Sequence, residues 1–255
     1  YEEQLFTVAK AKEVLAVLNQ RDRAICMTML QSGQSIRQVL VDVNRDAEYV
    51  FGEIDQGKQR VRLNFKQRKN NHFRYFSFIS RDAIQELVKW RSERQKRLDK
   101  QEKTSKPVFV NTRCKPLTPQ QFQRNFKDLM RSHGIWTGPY SVRSHMFRKM
   151  FEQEASPPDR GISKLHVLFM MGHKAGKRLI NRMDMVGGTY DKSPWIHKAV
   201  EEEYQRLEPW INIYSGKQVE SVVHEENVML KKRVSQLHDE MEKVWRKLSE
   251  MEKQN

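Results

Sequence analysis

Between Tyr49 and Phe78 the hydrophobic period of the chain changes. Before that stretch apolar residues recur three and four apart, as Ala11, Val14, Leu15 and Leu18 do after a capping Thr7, which a helix gathers on one face. Inside it, YVFGEI, QRVRLNF and HFRYFSF alternate apolar with charged residues and are parted by the turn signals DQGK and RKNN. Three such runs in a chain otherwise of helical period predict an α+β, mainly α fold, with one small three-stranded antiparallel sheet that has a basic face.

Helical signals resume at once. Arg21–Ser32 reads as a helix stopped by Gly33, with a short helix over Ser35–Val41, and Ser80 is placed to cap a helix bearing Ala83, Ile84, Leu87 and Val88. That helix runs into RSERQKRLDKQEKTSK, a charged run expected to be a solvated helix end or loop. Thr118-Pro119 is an N-cap followed by proline at the first helical position, ahead of Phe122, Phe126, Leu129 and Met130. KLHVLFMM is an apolar helix that Gly172 ends, its methionine pair serving the core.

The last residues differ in kind. Val223, Leu230, Leu237, Val244 and Met251 occupy d positions of a heptad whose a positions are Asn227, Val234, Met241 and Leu248. A polar Asn at one a position specifies register and favours a dimer, and Glu226 with Lys231 and Lys247 with Glu252 suit parallel strands. The expected organisation is a body over residues 1–213, a linker over 214–218 and a coiled coil over 219–255 with Asn227, Leu230, Val234, Leu237, Met241, Val244 and Leu248 in the dimer seam. A long helix folded back on its own body is the alternative.

Lys and Arg number 47 against 32 acidic residues, a formal charge of +15. From Val219 onward 7 basic residues meet 8 acidic ones, so the positive excess belongs to the body. Such an excess favours a polyanion, because each cation set on a phosphate releases counterions. Nucleic acid is the leading candidate. No apolar run approaches the ~20 residues that span a bilayer, so a membrane is not. Cys26 and Cys114 have neither CxxC nor Cys/His spacing, which predicts no zinc site and fits a reducing, intracellular setting. With no methionine at Tyr1, the chain reads as a piece of a longer protein.

SVRSHMFRKMF, residues 141–151, sets His145 and Arg148 three apart, hence on one helical face. Gly172-His173 follows the apolar helix, Lys69 lies at the tip between two predicted strands, and Tyr190 follows the Gly187-Gly188 pair. Singly, each has a structural explanation: a basic solvated face, a core histidine, a turn lysine, an interfacial tyrosine. In order, they resemble the catalytic domain of the tyrosine recombinases, the phage-integrase superfamily, and its archaeal integrase-like branch in particular. LQSGQSIRQVL at 30–40 resembles the family's segment around its first catalytic arginine, and EEYQRLEPWINI at 202–213 resembles the closing helix. The likeness covers about residues 5–213.

The resemblance implies cleavage and rejoining of strands of double-stranded DNA through a 3′-phosphotyrosyl intermediate, in site-specific recombination or integration, without metal or nucleotide cofactor. It also implies a tetrameric synapse on DNA that the coiled-coil dimers would assemble, and it places the protein in the cell in association with DNA. Tyr190 would be the nucleophile, Arg148 and His145 would hold the scissile phosphate, His173 would donate to it and Lys69 would protonate the leaving 5′ oxygen. Arg143, Lys149, Lys174, Lys177, Arg178, Arg68 and Lys66 would contact DNA phosphates. The sequence departs from the family at Ser35, where the first arginine is expected, and at Gln38, where the family has an acid. Arg37 is the candidate replacement, although two residues turn a helix by about 200°. The interval from His173 to Tyr190 is long for the family, and Tyr204 is the alternative nucleophile, although its place in the closing helix with Leu207 and Trp210 predicts that it packs there. A competing expectation is therefore a weakened or inactive DNA-binding protein that keeps the fold and dimerises through its coil.

Overall fold

The computed structural model describes residues 6–66, 74–135, 143–176 and 194–214. Helices α1 (Val8–Val17) and α2 (Gln20–Ser32) are capped by Thr7 and Asn19, whose side chains accept from the backbone N–H groups of Lys10 and Asp22. Every residue of α2 from Ala24 to Ser32 is buried, which makes it the central helix, packed against α5 (Arg81–Lys100) on one side. On another lies α7 (His145–Ala155). Gly33 ends α2 at φ +67°, and a Cβ there would sit 2.7 Å from the Phe151 ring, so both conformation and space demand glycine.

After the short α3 (Ile36–Gln38) the backbone loosens into a π-helical turn over Val39–Val43. Then comes α4 (Ala47–Asp55), which corrects the first of the three predicted strands. Its adjacent Val50 and Phe51 are both buried, and a strand would send them to opposite faces. A helix places Ala47, Val50, Phe51 and Ile54 together, which is how they meet the core.

Among the described residues the sheet thus has two strands, β1 (Val61–Phe65) and β2 (Tyr75–Ile79), antiparallel with Val61 opposite Ile79 and Phe65 opposite Tyr75. The α+β, mainly helical class holds. The expected basic face is confined to β1, where Arg62 and Asn64 alternate with buried Val61, Leu63 and Phe65. β2 is buried on both faces because α9 (Pro194–Ile211) lies across it: Phe76 meets the His197 ring edge-on at 4.9 Å, and Phe78 meets Tyr204 at 5.3 Å.

Ser80 stands at the N-cap of α5 but makes no capping bond; Gln31, from buried α2, accepts from the N–H groups of Ser80 and Ala83 instead. The charged run is helix as far as Lys100, anchored by Trp90 Nε1 donating to the Val108 carbonyl and by Arg94 donating to those of Pro107 and Ser105. α6 (Pro119–Ser132) carries the predicted Thr118 cap as a complete capping box with Gln121. α8 (Lys164–Met170) ends at Gly172, φ +67°, where a Cβ would lie 2.4 Å from the Tyr75 ring. Cys26 and Cys114 are free and buried. No described helix is long and apolar enough to cross a membrane. The heptad segment lies outside the described residues.

Candidate active site

α7 turns Phe147, Met150 and Phe151 into the core, which leaves His145 and Arg148 on its other side. Arg148 is held from two directions. Its Nε donates to the Gly33 carbonyl at 3.1 Å, and its Nη2 lies 2.9 Å from His173 Nε2. A guanidinium has only donors, so His173 Nε2 accepts and the ring's proton sits on Nδ1. The turn that presents His173 is fixed by its own N–H to the Leu168 carbonyl, and by Gln34, which donates to the Met170 and Ser32 carbonyls while accepting from the Tyr75 hydroxyl. The ends of α2 and α8 and the start of β2 are thereby locked around one arginine.

Arg148 opens on a cleft of about 820 Å3 whose wall includes Ser35, Arg37, Lys66, Arg143 and His145. Of the residues singled out in the sequence, the fold therefore brings His145, Arg148, Arg37, Arg143 and Lys66 to one cavity, with His173 bonded to Arg148 behind it. Arg37 reaches the cleft despite its angular offset from Ser35 because both stand at the start of α3, which forms the cavity rim. Ser35 donates to the Gln38 side chain, an internal pair between the two positions that depart from the family. Lys149 and Lys174 are exposed outside that wall. Lys69, Arg68, Lys177, Arg178 and Tyr190 lie outside the described residues. Tyr204 is fully buried, and burial pushes its phenol well above the ordinary value, both adverse to a nucleophile.

Sequence reading missed Lys127 and Gln123, which α6 places in the wall, and Asp42. The two α6 residues are four apart on the polar side of a strongly amphipathic helix, a visible signal with no indication of which cavity it faces. Burial raises the Asp42 carboxyl against the opposing pull of Arg45, whose Nη1 is 2.6 Å away. With Arg37, Lys66, Lys127, Arg143 and Arg148 around one cavity, the potential favours an anion. Among the described residues no group of three or more His, Cys, Asp or Glu is placed to hold a metal.

A sequence model of the phage integrase family matches residues 3–179. No curated protein matches the chain. Among solved structures, the crystal structure of XerA recombinase is similar over 71% of this chain at 13% identity and a TM-score of 0.45. The chain spans 64% of the length of that structure.

Proposed function

Because the chain belongs to the phage integrase family, we propose that it cleaves and rejoins DNA strands through a 3′-phosphotyrosyl intermediate on Tyr190, as a site-specific recombinase or integrase. The observation that carries this reading is the Arg148 clamp: a guanidinium fixed by Gly33 and His173 beside His145, at the wall of a cationic cleft. In-line attack forms the Tyr190 Oη–phosphorus bond and breaks the bond to the 5′ oxygen, which takes a proton from Lys69. The phosphoester energy is conserved for the reverse step. The charge that develops on the non-bridging oxygens is met by Arg148, which is held in place before the reaction begins, together with His145 and the Nδ1–H of His173. Tyrosine has an ordinary pKa of ~10, so the Arg148 cation also favours its loss of a proton. Arg37 supplies the second guanidinium, and Arg143, Lys149, Lys174, Lys177, Arg178, Arg68 and Lys66 grip backbone phosphates. Residues 219–255 pair as a parallel coiled coil.

The Ser35–Gln38 pair favours a second reading, a DNA-binding relative with little catalysis, since losing one preorganised donor costs ~10²–10³ in rate. A nicked suicide substrate separates the two. Under the first reading a denaturing gel shows a covalent protein–DNA band that Tyr190→Phe abolishes; binding by both proteins without any band leaves only the second.

A further inference from the structure

The β1–β2 hairpin borders a second cleft, of about 530 Å3, lined by Arg45, Arg62, Lys66, Arg74, Phe76 and His197 among others. Arg62 is its unusual member. The guanidinium lies over the Phe76 ring at 5.6 Å, and its Nη1 is 2.9 Å from the His197 ring. Its Nε is buried without a hydrogen-bond partner. Among the described residues no carboxylate forms an ion pair with it, and the Tyr49 phenol is a further neighbour.

Two other arginines nearby are neutralised. Arg60, two positions earlier, pairs with Glu201 and Glu208 of α9, and Arg45 pairs with Asp42 and Asp46 at 2.6 Å. A half-buried guanidinium offset by an imidazole, a phenol and an aromatic face but by no carboxylate is electrostatically incomplete, and an incoming oxyanion offers it the charge and the paired acceptors its fork is shaped for. Exposed Lys66 follows β1 and exposed Arg74 precedes β2, so the Phe65–Tyr75 end of the hairpin adds a cation from each strand.

Lys66 lines this cleft and the one that holds Arg148. The two clefts therefore adjoin at a cation, within reach of one polyanion. We propose that the Arg62–Arg74–His197 cleft binds a second backbone phosphate of the same DNA duplex, with Arg62 exchanging its His197 contact for the phosphate. The proposal rests on the reading of the first cleft as a DNA site.

The test is fluorescence anisotropy of a labelled duplex of arbitrary sequence over a range of salt, for wild type, Arg74→Gln, Arg62→Lys and, in the first cleft, Arg143→Gln. Each phosphate contact contributes about 0.9 to the slope of log affinity against log salt. Arg74→Gln, a change at an exposed side chain, is expected to lower the slope by about that amount. Arg62→Lys, which keeps charge but not the fork, weakens binding at every salt concentration with an unchanged melting temperature. If Arg143→Gln lowers the slope while both hairpin variants bind like wild type, the second cleft is overturned and the first stands. If wild type shows no salt-dependent binding, both readings fall.

Discussion

The guanidinium of Arg148 reaches from α7 to the carbonyl of Gly33, 3.1 Å away, so the arginine is aimed by the backbone of the buried helix that precedes the departure at Ser35. A side chain held by a main-chain oxygen on one edge and an imidazole on the other cannot swing, and that preorganisation is what electrostatic catalysis needs.

Replacing Arg148 by lysine keeps one charge but cannot reproduce two donors in a fixed plane. The initial rate of covalent trapping on a nicked substrate is expected to fall ~10²–10³, with duplex affinity much less affected. Trapping at the wild-type rate would remove the clamp from the mechanism.

Ser35→Arg restores a guanidinium at the rim of the cleft and breaks the internal bond to Gln38. Trapping should accelerate, by as much as ~10² if the place is otherwise unfilled. No acceleration, together with a loss of trapping in Arg37→Gln, identifies Arg37 as already serving there.

Gly33→Ala meets two obstacles, a φ of +67° and a Cβ 2.7 Å from the Phe151 ring. Thermal or urea unfolding should show a loss of about 1–3 kcal/mol. Because the same residue supplies the carbonyl that holds Arg148, trapping should fall as well. A variant as stable as wild type would mean that the turn relaxes freely.

His166 has both ring nitrogens buried without hydrogen-bond partners, and burial, opposed by Glu203, lowers its pKa. The folded state binds this proton less readily than the unfolded chain does. Its contribution is therefore complete above the unfolded value of about 6.5 and is lost as pH falls from there toward the lowered folded value. Melting curves at pH 7.5 and 5 should show a smaller acid loss in His166→Gln than in wild type, and equal losses would exclude His166 as a source.

Helix α4 shows where reading by period stops. Tyr49–Ile54 satisfies an alternating pattern and a helical one together, and only the packing that buries Val50 and Phe51 side by side selects the helix. Ser80 makes a related point: its position as a cap was legible, yet the acceptor that serves the helix is Gln31, 49 residues away. Neither partner carries a local mark of the other.

Spacing along the chain was enough to determine the helical character of the body, the strands around Leu63 and Ser77, the pairing of His145 with Arg148 on one face, and the concentration of positive charge. These depend on local backbone geometry, which repeats every two or 3.6 residues wherever it occurs. Tertiary structure alone decided that Lys127 and Asp42 join that cleft, that Arg37 reaches it and that Arg62 meets His197 across 135 residues. Each of those outcomes follows from how separate elements dock, and docking is set by the summed burial of many side chains rather than by any single spacing.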